Sequence, residues 1–185
     1  EICACLVGSE MCIRDSYYRY LEFSDKYGII PVQNGKNLTL NVPVTAAVPG
    51  ARGIKADCIT DGACTESSAY FQKSSNAATG SPYMFTIDMQ KEAVISEINL
   101  STRLVNGSEA AYKYTIEGSR DGKSYKMLVD GKLNWQVGFL ILNIEDPSLY
   151  RYLRLRVYGV VNVHKNNSAM WADGIYEFAA YGKPQ

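Results

Sequence analysis

His164, Asn166, Asn167 and Trp171 fall within one short stretch, VHKNNSAMW, and are the densest set of interactive side chains in the sequence. His and Asn can each donate and accept hydrogen bonds, and the indole offers an apolar face. The chemistry they could perform is narrower than the cluster suggests. His164 is the one histidine of the chain, so a relay of several histidines is excluded. The sequence has no G-x-S-x-G elbow, no H-E-x-x-H and no phosphate-cradling P-loop. Asp88 and Glu97 fall in strand-like segments, and nothing singles them out as the paired carboxylates that glycoside hydrolysis uses. These residue types point to binding rather than catalysis.

Binding loops need a scaffold, and the alternation of side chains supplies one. In YKYTIEGSRDGKSYKML (residues 112–128), Tyr112, Tyr114 and Ile116 share one face of an extended chain, opposite Lys113, Thr115 and Glu117. Asp121-Gly122 suits a tight hairpin turn, because Gly takes a positive φ at no steric cost. PYMFTIDM (82–89) and AVISEINLSTR (93–103) read as two strands joined by a short polar turn. GFLILNI (138–144), RYLRLRVYG (151–159) and IYEFAAYG (175–182) read as three more. In RYLRLRVYG the apolar set Leu153, Leu155 and Val157 faces a core, and Arg154 and Arg156 form a solvated face rather than a phosphate patch. Short strands without a convincing amphipathic helix indicate an all-β protein, an antiparallel β-sandwich or barrel. Its long connections, 63–81, 103–111, 130–137 and 159–174, are where function is expected to sit.

The 185 residues suffice for one domain with a core of its own. Lys plus Arg (19) equals Asp plus Glu (19), which gives no electrostatic argument for nucleic acid or an anionic membrane. The leader EICACLVGSEMCIRDS carries three of the five cysteines without strand or helix periodicity. Its SEMCIRDS resembles translated sequencing-adaptor peptides, and residues 1–16 are read as a non-native leader. A degraded signal peptide or an unstructured lead-in is the alternative. Residues 17–36 read as the tail of an upstream region and a linker, and residues 37–185 as the domain. Cys58 and Cys64, with no second pair nearby, support no zinc site. A local disulfide around Asp61-Gly62 and two free thiols both stay open.

Taken in order, NLTLNVPVTAAV, ITDG (59–62), FTIDM (85–89), VISEINL, YTIEGSRDGKSYKML, YRYLRLRV and YEFAAYG resemble the landmarks of discoidin domains, the coagulation factor 5/8 type C family. The resemblance covers about residues 37–183 and is most like the bacterial family 32 carbohydrate-binding modules. It implies a jelly-roll sandwich of about eight strands, with ligand-binding loops at one end. It implies as partners a glycan and an upstream catalytic domain in the same chain, outside the cytoplasm: extracellular, cell-surface or periplasmic. Protein- or membrane-binding discoidin domains are the alternative. Membrane binding calls for apolar loop tips with basic flanks, and Ser/Asn-rich loops with embedded Trp favour sugar.

On that resemblance, the candidate ligand-binding residues are Trp135, His164, Asn166, Asn167, Trp171 and Arg103, with Tyr70 and Phe71 as a side wall. Tyr70-Phe71 stand where the family often has a tryptophan, which leaves the sugar preference open. The resemblance also implies a structural calcium ion, held by Asp61 and Glu177 with Thr65 and turn carbonyls. A hard cation of that kind takes six to eight oxygens. That Asp61 serves only its own turn is the alternative.

Overall fold

The computed structural model describes residues 36–63, 68–74, 83–103 and 109–185. The readings made for residues 1–35, for Cys64 and for Thr65 lie outside the described residues. The described chain forms nine strands: β1 (Lys36–Asn37), β2 (Val44–Ala46), β3 (Tyr83–Thr102), β4 (Ala110–Ser119), β5 (Lys126–Gly131), β6 (Phe139–Asn143), β7 (Leu149–Asn162), β8 (Asn167–Ser168) and β9 (Ile175–Pro184). Helical structure among the described residues is limited to short 3-10 turns at Ala51–Gly53, Ala56–Thr60 and Met170–Ala172. The all-β reading holds.

Every strand pair is antiparallel, and β3 belongs to both layers. Its first half lies between β2 and β7, and the β7 side continues through β4 to β5. Its second half lies between β9 and β6, with β1 outside β9. The sequence led us to expect two strands and a turn here. Residues 89–92, Met-Gln-Lys-Glu, contain neither Gly nor Pro to favour a tight turn, and the strand runs on through them. A register shift between Asp88 and Ala93 bends the strand instead, with Gln90 at φ 62° and its N–H donated to Asp88 Oδ1.

Alternation then fills the space between the layers. Phe85 pairs with Leu155 and Ile87 with Leu153 on one sheet. Leu100 pairs with Phe178 and with Leu140 on the other. All seven are buried in one hydrophobic cluster together with Tyr114 and Ile116. Each such side chain contributes about 1.5–3 kcal/mol on burial.

Two local readings are corrected. The Asp121-Gly122 turn is wider than a two-residue hairpin, because β4 stops at Ser119 and β5 starts at Lys126. Asp121 Oδ1 accepts hydrogen bonds from Ser119 Oγ, Lys123 N and Ser124 N and so organises a longer loop, while Gly122 takes φ 72°. Arg154 and Arg156 do not project freely into water either. Arg154 lies 3.6 Å from the Tyr125 ring centroid, with Nε 2.5 Å from Glu117 Oε2, and Arg156 Nη2 is 3.8 Å from the same oxygen.

Candidate binding site at the loop end

Strand direction gathers the functional loops. Thr102 at the end of β3 pairs with Ile175 at the start of β9, and Ala110 at the start of β4 pairs with Asn162 at the end of β7. The connections that follow β3, β5 and β7 therefore share one end of the sandwich. A bridge between Phe71 and Ile175 brings residues 70–73 to the same place.

Tyr70 and Arg103 come together at Gly174, three residues after Trp171. The Arg103 backbone N–H donates to Gly174 O at 2.7 Å. Its guanidinium carbon stands 5.1 Å from the Tyr70 ring centroid, and Tyr70 meets Tyr176 edge-on at 5.4 Å. A Cβ at Gly174 would sit 2.9 Å from Arg103 Cβ and 2.9 Å from Tyr70 Cδ2, so only glycine lets the two side chains approach. Trp171 rides on the turn Met170–Ala172 and is 58% exposed, while its carbonyl accepts from Gln72 Nε2 at 3.2 Å. This loop end therefore carries an exposed indole, a guanidinium and a second ring.

Beneath it lies a buried polar anchor. Asp173 Oδ1 accepts from Tyr83 at 2.5 Å and lies 2.9 Å from the Tyr112 hydroxyl, and Oδ2 accepts from Lys73 N at 3.3 Å. Burial raises the Asp173 carboxyl above its ordinary range, opposed by the tyrosine hydrogen bonds. Both tyrosine hydroxyls are pushed well above their usual value, first by burial and then by the charge of Asp173.

The other candidates divide among three places. Phe71 is 1% exposed and packs edge-on against Phe85 at 4.8 Å, so it is a core residue and not the side wall expected of it. The reason is the Phe71–Ile175 bridge, which turns this ring inward and leaves Tyr70 toward the surface. His164 is exposed, with Nε2 2.6 Å from Glu109 Oε2. Asn162 Oδ1 caps this turn by accepting from His164 N and Lys165 N, Asn166 takes φ 50°, and Asn167 lies exposed in β8. Trp135 stands apart, on the outward side of β4. There Lys113 Nζ lies 3.7 Å from its ring centroid.

Lys113, Gln72, Asp173 and Gly174 were not singled out from sequence. For Asp173 and Gly174 the available signal was WADG itself, an acidic residue and a glycine two and three positions after a tryptophan.

The expected metal pair is adjacent. Glu177 Oε2 accepts from Gly62 N at 3.1 Å, and Asp61 Oδ1 accepts from Ala63 N at 2.8 Å, so Asp61 does serve its own turn. Glu177 Oε1 is buried with no hydrogen-bond partner among the described residues. Burial raises the Glu177 carboxyl to about 9, with the charge of Asp61 adding to the rise. The Cys58 thiol is pushed up to about 12 by burial and by Asp61, Asp57 and Glu177. A buried, orphaned carboxylate oxygen next to a second carboxylate suits a divalent cation. Among the described residues no group of three or more His, Cys, Asp or Glu converges there, so backbone oxygens would have to complete the shell.

No protein-family model and no curated protein matches the sequence. Solved structures do. Chitosan-binding module 1 from a chitosanase/glucanase of Paenibacillus sp. IK-5 is 18% identical, with a TM-score of 0.60 over 80% of this chain and 99% of that one. A Clostridium perfringens module from a family 89 glycoside hydrolase, in complex with GlcNAc-α-1,4-galactose, is 19% identical, with a TM-score of 0.57 over 80% of this chain and 94% of that one. The family 89 glycoside hydrolase of Clostridium perfringens, in complex with the same disaccharide as its substrate, is 25% identical, with a TM-score of 0.61 over 82% of this chain and 15% of that one. The chain has the fold of the galactose-binding-like carbohydrate-binding modules that accompany glycan-acting enzymes.

Proposed function

We propose that this protein is a non-catalytic carbohydrate-binding module, serving a glycan-acting protein outside the cytoplasm, and that it grips a sugar at the loop end. The observation that carries the reading is an Arg103 guanidinium held over Tyr70 against Gly174, at the loop end that also carries the exposed Trp171 ring. Trp171 would stack on the apolar face of a pyranose, and Arg103 would donate to its hydroxyls. His164, Asn166 and Asn167 would flank this centre. No helix among the described residues is long and apolar enough to cross a membrane.

Such a surface is open to water, so each sugar hydroxyl exchanges water bonds for protein bonds at a net gain of about 0.5–1.5 kcal/mol. Affinity should be micromolar to millimolar, about −8 to −4 kcal/mol. Attachment to an enzyme would raise the local concentration on a multivalent polymer. The test is a glycan array followed by calorimetric titration of the full chain and its variants. Trp171→Ala and Arg103→Ala should each weaken binding by about tenfold or more with melting nearly unchanged. Normal binding by both would place the site elsewhere.

The same reading includes a structural calcium ion held by Asp61 and Glu177, with Thr65 and carbonyls of the 58–63 turn as further ligands. The orphaned Glu177 Oε1 supports it. Calcium there would neutralise a carboxylate that burial otherwise penalises.

A further inference from the structure

Trp135 and its lysine belong to a second surface, independent of the Trp171–Arg103 centre. Lys113 pairs with Gly159 on β7, next to Tyr158, and Tyr114 pairs with Gly131 on β5, next to Lys132. Lys113 and Tyr112 point to opposite faces of β4, and it is the Tyr112 hydroxyl that reaches Gly174. Lys113, Lys132, Trp135 and Tyr158 thus share the outward side of neighbouring strands. Lys113 Nζ lies 3.7 Å from the Trp135 ring centroid and donates to Asn134 O. Lys132 Nζ lies 5.4 Å from the Tyr158 ring centroid. Trp135 is 50% exposed and Tyr158 37%, and a Cβ placed on Gly159 would meet nothing within 4 Å. The two aromatic rings therefore border an open shelf.

We propose that this shelf is a second glycan-binding surface, for a polysaccharide bearing anionic groups, carboxylate or sulfate. The argument is charge complementarity joined to stacking area. Each ring carries an ammonium over its face, so a sugar ring lying on the indole brings its acidic substituent to a cation already in place. Among the described residues Lys113 forms no ion pair, and Lys132 forms one, the loose contact to Asp130 at 3.9 Å. Leu133 is 88% exposed beside them, which raises insertion into a bilayer as a rival. Immersing two ring-bound ammonium groups in acyl chains would strip their water without an anion to replace it, and this favours the glycan.

The experiment titrates the full chain with polygalacturonate, dextran sulfate and neutral dextran. Lys113→Met and Lys132→Met keep the aliphatic stems, and Lys132 is exposed enough to change without loss of fold. Binding of one or both polyanions is expected, with no binding of dextran and a decline with added salt. The polyanion that binds identifies the acidic group. Either lysine variant should weaken it about tenfold or more, and Trp171→Ala should leave it unchanged. Failure of both polyanions to bind, wild-type binding by both lysine variants, or equal loss in Trp171→Ala would each overturn the proposal. So would tighter attachment to phosphatidylserine-containing vesicles, abolished by Leu133→Ala. Loss of neutral-sugar binding in Trp171→Ala reports separately on the first site.

Discussion

The Tyr112 hydroxyl lies 2.9 Å from Asp173 Oδ1, so the buried anchor of the Trp171 segment is a side chain of β4, which lies between β7 and β5. The same hydroxyl accepts the Gly174 N–H at 2.5 Å. Tyr112→Phe would leave a buried carboxylate and a buried N–H short of partners, at a cost of about 1–3 kcal/mol each. The expected outcome is a lower melting temperature together with weakened sugar binding, although Tyr112 touches no solvent. A melt and a titration on one sample check this, and binding at wild-type strength would remove Tyr112 as a positioning residue.

Acid should destabilise the fold through its depressed carboxylates. Backbone hydrogen bonds from Ser124 and Lys123 and the hydroxyl of Ser119 lower Asp121 to about 2. Arg151 lowers Asp88, and Lys126 with Ser148 lowers Asp146. The unfolded value is about 3.9. A folded pKa below it means the contribution is fully present above about pH 4 and is lost as pH falls toward 2. Melting temperature against pH should drop across that window, and Asp121→Asn should flatten part of the drop.

Chelation should lower the melting temperature if calcium is bound as proposed. A ligand at a hundredfold excess over its Kd stabilises by about 2.7 kcal/mol, or roughly 5–10 °C for a domain of this size. Added calcium should restore it, and Glu177→Gln should lose most of the response. A melt indifferent to chelator would end the calcium reading.

Two glycines in strands should respond oppositely to the same change. A Cβ on Gly182 would stand 2.0 Å from Val94 O, a backbone atom that cannot move without breaking the β3–β9 ladder. Gly182→Ala should cost more than about 3 kcal/mol or prevent folding. Gly159→Ala meets open space and should stay within about 0.5 kcal/mol. Denaturant midpoints for the pair measure both.

The elements with period-two burial were legible from the sequence. Tyr112, Tyr114 and Ile116, like Leu153, Leu155 and Val157, are buried as their alternation required. What alternation could not show was where chain segments distant in sequence meet. The continuity of β3 depended on a bulge with no glycine to mark it. The inward turn of Phe71 depended on a bridge to Ile175, 104 positions away by subtraction of the residue numbers. For the same reason Lys113 read as one more solvent-facing residue of a strand, although the chain returns at residue 135 to lay an indole beside it. Thr65 and Cys64 lie outside the described residues.

The pairing of β1 with β9 sets the orientation of the whole module. Lys36 lies opposite Gly182, whereas β9 begins at Ile175 beside the binding loops. The chain therefore enters and leaves the sandwich side by side, at the pole away from Trp171. A domain joined before Lys36 or after Pro184 would be attached at that pole, opposite the Trp171 loop end.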